Sequence, residues 1–407
     1  MAPAPSCRRL ATEIEAVMIW LQGQRHNSWT GDGNRVGATC GRPLCTPTHT
    51  PGRGRVARAT AGRPYASLIA VALVLLITLA GAPRAVAEEI TLKLEHFLPA
   101  VSIEHRTWLE PWAKRVSEAS KGRLKIEVYP AMQLGGKAPQ LIDQTKDGVI
   151  DIAWVVAGYT PGRFPRLEAF ELPWMAHVEA ARTSKALWEY LQAYALDETK
   201  AVKVLAIFCH GKGTLFTKDK TVRLPSDMAG LKIRVPTRTI NSTLQLLGAV
   251  PQGIPAPGVP EALAKGVVDG VMFPYEVAPA FKVDELTNRV TEFMGDRALY
   301  TAVFMLVMNK ERYESLPPDV KAVIDANSGA ALSAEIGAAF DAWDVPGREA
   351  MARRGAQVIK VDGADLEAWK AATKPVIEQW IAERDKAGDK GAELVKAASD
   401  LVAKHSQ

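Results

Sequence analysis

Arg234 sits in the segment Gly230-Leu-Lys-Ile-Arg-Val-Pro236. Leu231, Ile233 and Val235 alternate with Lys232 and Arg234, the spacing of a half-buried strand, so the two cations share one face. A guanidinium can hold a carboxylate through two parallel charge-assisted hydrogen bonds, which an ammonium cannot. On pattern alone, an arginine on the polar face of a strand is more often solvated. Two other segments pair a strand with a decorated turn. Gly158-Tyr-Thr-Pro-Gly-Arg-Phe-Pro165 follows an apolar run ending near Val156 and carries Tyr159 and Arg163. Val268-Asp-Gly-Val-Met-Phe-Pro-Tyr-Glu276 carries Phe273, Tyr275 and Glu276. Loops after strands are where open α/β sheets bind ligands. Glycine and proline there could equally build only a rigid turn, and the aromatics could simply pack beneath it.

Other chemistries find little local support. The sequence has no G-x-S-x-G elbow, no Walker A loop and no H-E-x-x-H. Gly211-Lys-Gly213 runs into Thr214-Leu215-Phe216 and lacks the third glycine of a dinucleotide fingerprint. Cys209 and His210 are adjacent, so on a strand they point to opposite faces and make a poor nucleophile–base pair. Cys40-x4-Cys45 has no second ligand pair at zinc-site spacing. Neither a metal nor a cofactor is expected.

These residues need elements to position them, and the chain is long enough for two cored lobes. The formal charge of +5 over 407 residues divides unevenly. Residues 1–87 hold ten arginines, no lysine and three acids, leaving the remainder slightly acidic. That body has no global attraction for nucleic acid. Arg58 and Arg63 flank the apolar run Ala66–Ala82, and Ala85-Val86-Ala87 reads as a small-x-small cleavage site. Residues 58–87 are therefore expected to be an export signal cleaved near Ala87, and residues 1–57 an over-extended, disordered start. Only Cys209 remains after Ala87, so no internal disulfide is expected.

Beyond Ala87, strand and helix patterns alternate, which argues for an α/β architecture. Strands are expected at Ile90–Leu94, Leu124–Val128, Ile152–Val156, 202–208, Leu231–Val235, Val267–Phe273, 301–308 and Val358–Val361. Helices are expected around Trp108–Ala119, after Gly136, over 179–195 and 259–265, and near the C-terminus. Apolar residues at helical spacing over 318–344 predict one helix about 40 Å long, ended or kinked by Pro346.

Several motifs, in order, resemble the DctP-type solute-binding proteins of tripartite ATP-independent periplasmic (TRAP) transporters. They are Leu92–Pro99 (LKLEHFLP), Gly122–Gly136, Asp147–Trp154 (DGVIDIAW), Gly158–Pro165, Glu171–Met175 (ELPWM), Asp227–Pro236 (DMAGLKIRVP) and Ala262–Val271. The resemblance implies a two-lobed periplasmic-binding-protein-like fold with a central ligand cleft and a long helix spanning both lobes. Residues 88–211 with 300–338 would form lobe I, and 212–299 with 339–407 lobe II. It also implies a periplasmic protein that captures a small organic acid and hands it to TRAP membrane permease subunits, as a monomer or a homodimer.

Arg234 would be the carboxylate clamp. His96, Phe97, Trp154, Tyr159, Arg163, Phe273, Tyr275 and Glu276 would come from the segments that cover the ligand. Many relatives carry a second arginine about 20 residues before the clamp. This chain has none there, and Lys212 or Thr214 could take its place. Sialic-acid-type relatives have asparagine where Phe273 stands and an acid where Val156 stands. The pocket should thus be less polar, suited to a monocarboxylate with an apolar or aromatic body, or to a dicarboxylate. The alternatives are a ligand-sensing input protein, or a secreted carboxylate-processing enzyme using Glu276 or His96 as base.

Overall fold

The computed structural model describes residues 89–406. The expected leader and export signal, and the Cys40/Cys45 pair, lie outside the described residues. Eleven strands are formed among those described: β1 Ile90–Glu95, β2 Leu124–Tyr129, β3 Ile152–Val156, β4 Val202–Cys209, β5 Thr214–Thr217, β6 Lys232–Val235, β7 Val250–Gly253, β8 Gly270–Phe273, β9 Arg289–Phe293, β10 Val303–Asn309 and β11 Gln357–Val361. The helices are α1 Glu110–Ala119, α2 Leu141–Lys146, α3 Ala180–Tyr190, α4 Arg238–Leu246, α5 Val259–Ala264, α6 Val283–Leu286, α7 Lys310–Ser315, α8 Pro318–Ala326, α9 Gly329–Arg353, α10 Gly363–Lys386 and α11 Gly391–Lys404.

The strands form two sheets, ordered β2-β1-β3-β10-β4 and β11-β9-β5-β8-β6-β7. In the first, β1 runs parallel to β2 and β3, while β10 is antiparallel to both β3 and β4. In the second, β6 lies parallel to β7 and β8, and β5 is antiparallel to β8 and β9. This is the mixed α/β, two-lobed arrangement the motifs imply. Every residue of β3, β8 and β10 is buried, as central strands covered on both faces require. Periodicity misses β5, β7 and β9. The first is only four residues long, and β7 is an edge strand containing Pro251, where proline removes no needed donor.

The chain passes between the lobes at three places, and each has a physical signature. Residues 210–213 link β4 to β5, and residues 294–302 link β9 to β10. These two segments are tied together: Thr301 Oγ1 donates to the His210 carbonyl at 2.8 Å, and the Gly213 N–H donates to the Tyr300 carbonyl at 3.1 Å. Gly213 is glycine for a packing reason, since a Cβ would come within 1.9 Å of the Tyr300 ring.

The third link is α9, 25 residues and about 37 Å long at 1.5 Å per residue. Its first half buries Leu332, Ile336 and Phe340, and Gly337 packs against Ala180 and Ala181 at the start of α3. Its second half puts Gly347 where a Cβ would lie 2.1 Å from the Tyr275 carbonyl oxygen. One rigid helix is thereby seated on both lobes.

Three sequence expectations are corrected here. The helix expected over 318–344 is two helices, broken at Asn327–Ser328, with Gly329 in the left-handed region at φ +83°. Pro346 does not end α9, which continues to Arg353. Ala342, Val345 and Pro346 are all exposed, so water can satisfy the Ala342 carbonyl that proline leaves without a donor. At the C-terminus, α11 returns to the first lobe: Lys404 and His405 reach Glu189 of α3 at 2.7 and 2.8 Å. The resemblance implies instead that all of residues 339–407 belong with the second lobe.

Candidate functional site

Alternation along β6 places Arg234 on the inward face of the second lobe. It is buried, unlike Lys232 on the same face nearer the strand's start. Its Nε donates to the Ile254 carbonyl at 2.7 Å, and Nη1 to the Met272 carbonyl at 3.0 Å. Its guanidinium lies 5.0 Å from the centre of the Phe273 ring, within cation–π range. No carboxylate of the described residues lies within salt-bridge distance of it. An isolated buried charge is costly, and burial accordingly lowers the Arg234 pKa. Two carbonyls and a ring aim the fork but do not neutralise it.

Arg234 opens onto a small, nearly closed cavity of about 40 Å³ between the lobes. The first lobe supplies Phe97, Glu104, Trp154, Val156, Tyr159, Phe304 and, from α9, Phe340. The second supplies Arg234, Phe273, Pro274, Glu276 and Val277, while His210, Tyr300 and Ala302 come from the connecting segments. Most of the wall is apolar. Trp154 sits edge-on to Trp108, Phe304 and Phe340, at 5.1 to 6.3 Å between centroids. That packing holds the aromatic wall rigid.

Tyr159 crosses the cleft. Its hydroxyl accepts from the Ala256 N–H at 2.8 Å and lies 3.4 Å from Arg234 Nη2. His210 is buried with both ring nitrogens engaged: Nε2 accepts from the Ala302 N–H at 3.0 Å, so Nδ1 carries the proton toward the Gly211 carbonyl at 2.6 Å. Burial pushes its pKa down to about 4, and it stays neutral.

Six of the residues singled out from sequence therefore line one cavity: Phe97, Trp154, Tyr159, Arg234, Phe273 and Glu276. Four sit elsewhere. His96 lies behind the wall, with Nδ1 accepting from Leu98 and Nε2 2.9 Å from His105 Nδ1. Arg163 pairs with Asp143 at 2.8 Å. Lys212 faces Glu292 at 3.8 Å. The Tyr275 hydroxyl donates to Glu292 at 2.6 Å, beneath the Arg348 guanidinium. Thr214 is buried with its hydroxyl unpartnered and is not part of the lining.

Sequence reasoning missed Glu104, His210, Tyr300, Phe304 and Phe340. Only tertiary packing brings them in, although Glu104 precedes a π-type first turn, His105–Leu109, a feature frequent at functional sites. Among the described residues no group of three or more His, Cys, Asp or Glu side chains is placed to hold a metal ion, and no helix is long and apolar enough to cross a membrane.

Comparison with known proteins agrees with this geometry. Residues 94–384 match the bacterial extracellular solute-binding proteins of family 7, DctP. A TRAP solute-binding protein from a marine metagenome, specific for aromatic acid ligands and solved with 3-hydroxybenzoate, is 46% identical. The match covers 79% of this chain and 100% of that one, with a TM-score of 0.77. A TRAP solute-binding protein from Rhodoferax ferrireducens, solved with copurified benzoate, is 44% identical over 78% of this chain and 98% of that one, TM-score 0.76. A third, from Bordetella bronchiseptica with bound mandelate, is 30% identical over 77% and 99%, TM-score 0.72. With the motifs, the two-lobed fold and the buried arginine in agreement, the chain belongs to the DctP family of extracellular solute-binding proteins, of the TRAP type.

Proposed function

We propose that this protein captures a small aromatic monocarboxylate outside the cytoplasmic membrane and delivers it to the membrane permease of a TRAP transporter. The observation that carries the reading is Arg234: a buried guanidinium, aimed by two backbone carbonyls, without an acidic partner, at one end of an aromatic-walled cavity. A ligand carboxylate supplies the missing charge, and its ring packs among Phe97, Trp154, Phe273 and Phe304. The benzoate, hydroxybenzoate and mandelate held by its relatives support this choice of body.

Binding works through closure. Carboxylate contacts come from the second lobe, and most of the aromatic cover from the first. A ligand touching both lobes stabilises the closed arrangement over the open one, and only that difference shifts the equilibrium. Water leaves as the cleft closes, which strengthens the contact to Arg234. The closed surface is then what the membrane subunits recognise.

The site is a binder and not a catalyst in this reading. Burial raises the Glu276 pKa well above its ordinary value, with Asp344 and Glu104 adding to the effect, so Glu276 is a poor base at neutral pH. Both ring nitrogens of His96 and of His210 are occupied. Export through residues 58–87 belongs to the same proposal, and N-terminal sequencing of the exported protein checks the cleavage after Ala87.

The deciding experiment is calorimetric titration with benzoate, 3-hydroxybenzoate, mandelate, succinate and glucuronate. Tight binding of the aromatic acids alone is the expected outcome. Binding confined to succinate or glucuronate overturns the assignment, and chemical change of a bound acid on long incubation favours an enzyme.

A further inference from the structure

Four residues lining the cavity carry a buried polar atom outside the ordinary hydrogen-bond network: Glu104 Oε2, Trp154 Nε1 and Tyr300 Oη have no partner, and Glu276 Oε2 has only the carboxyl of Asp344, with which a proton can be shared. All four side chains are at least nine-tenths buried. Unpaired buried polar atoms are rare in native proteins, and three around one cavity call for a ligand group that pairs with them.

Glu276 lies against the carboxyl of Asp344, with which it shares a hydrogen bond, and near that of Glu104. The ionisable neighbours of Arg234 are Tyr159 and Tyr300. Tyr300 is near enough to both Arg234 and Glu276 for each to act on its hydroxyl. The two carboxyls arrive from different lobes, Glu104 at the start of the helix leading into α1 and Glu276 in the turn after β8.

We propose that Glu104 and Glu276 form a second polar subsite that receives a hydroxyl group on the ligand's ring, so that the cargo is a hydroxylated aromatic acid. This rests on the aromatic-monocarboxylate reading above and narrows it. The chemistry suits a neutral hydroxyl. Burial pushes the Glu104 pKa up to about 7 and that of Glu276 well above its ordinary value. The groups facing Glu276 reinforce this, Asp344 of α9 being itself raised by burial although Arg348 and Lys212 act on it in the opposite sense. A protonated carboxyl donates through its O–H and accepts through its carbonyl, which is what a phenol needs on both sides. An unsubstituted ring would leave Glu104 Oε2 without a partner on closure, and Glu276 with Asp344 alone. Sites built to hydrogen-bond a hydroxyl discriminate strongly against the analogue without it.

The test compares benzoate with 3- and 4-hydroxybenzoate by calorimetry at neutral pH, in the unaltered protein and in Glu104→Met, Glu276→Met, the double variant and the matching Gln variants. At least one hydroxybenzoate should bind roughly tenfold or more tighter than benzoate. The double Met variant should bring that ratio to about one. The Gln variants should keep most of it, because an amide also donates and accepts; they further control for loss of fold, which melting curves monitor. Equal binding of benzoate and both hydroxybenzoates by the unaltered protein overturns the subsite, as does a ratio that survives the double Met change. Failure of all three acids to bind overturns the aromatic-carboxylate reading itself.

Discussion

The Tyr159 hydroxyl, carried by the loop after β3 in one lobe, lies 3.4 Å from Nη2 of Arg234 on β6 in the other. The same oxygen accepts from the Ala256 N–H at 2.8 Å. The residue proposed to clamp the ligand is thus also touched by the residue that bridges the closed cleft. Ligand capture and lobe closure share a group, which couples them without any long-range device.

Replacing Arg234 separates charge from geometry. Arg234→Ala should weaken binding of an aromatic acid by roughly 1.5–3 kcal/mol, the range for hydrogen bonds to charged groups. Arg234→Lys keeps a charge but loses the planar fork that reaches Ile254, Met272 and the ligand together, and should recover only part of the loss. Calorimetry on both variants measures this; equal affinity for alanine and arginine proteins removes the clamp.

Tyr159→Phe leaves the ring against Phe97 and deletes only the bridging oxygen. The Ala256 N–H then loses its acceptor. Affinity should fall by about 1 kcal/mol, the usual net value of one hydrogen bond, and small-angle scattering should show a larger open fraction at sub-saturating ligand. An unchanged scattering profile and affinity would mean that the contact does not bias closure.

Gly347 tests the seating of α9. Glycine-to-alanine changes in an exposed helix interior commonly stabilise by about 0.4–1 kcal/mol. Here a Cβ would meet the Tyr275 carbonyl, so Gly347→Ala should instead destabilise by about 1–3 kcal/mol, as overpacking does. Chemical denaturation gives the sign directly.

The pH dependence of stability has a definite direction above neutrality. Burial raises Glu171 to about 8 and Glu104 to about 7, above the range these groups have in the unfolded chain. Between about pH 6.5 and pH 8 the folded state binds more protons than the unfolded one, so stability falls as pH rises. His96 and His210, lowered to about 3 and about 4, oppose this most strongly below about pH 6.5 and progressively less above it, as the unfolded imidazoles lose their protons. Denaturation midpoints should therefore drop from pH 6.5 to 8, and Glu171→Gln should flatten the slope.

Cys209 is buried, and burial pushes its thiol up to about 12. Thiolate is the reactive form. Alkylation should be negligible in the folded protein and fast in denaturant; rapid modification of the native state would show that β4 opens locally.

Much of the architecture was legible before any coordinates. The strands at Ile90–Glu95, Leu124–Tyr129, Ile152–Val156 and Val202–Cys209 follow from alternating or continuous apolar runs, because burial on one or two faces leaves that mark in the residues themselves. The family follows from ordered motifs that include Gly230–Pro236. Arg234 could be named, although its spacing alone left a solvated arginine the commoner reading.

Tertiary structure decided the rest. It put Arg234 in the interior without a counter-charge, a property of what surrounds β6 and not of its pattern. It brought Glu104, His210, Tyr300, Phe304 and Phe340 to one cavity from positions far apart along the chain, and turned His96, Arg163, Lys212 and Tyr275 toward other partners. Helical periodicity ran on across 318–344 because the apolar spacing is unbroken there, while the real break depends on Gly329 adopting a positive φ. Pro346 stays inside α9 because its freed carbonyl faces water. Local pattern records which face of an element is buried; only packing determines what lies against that face.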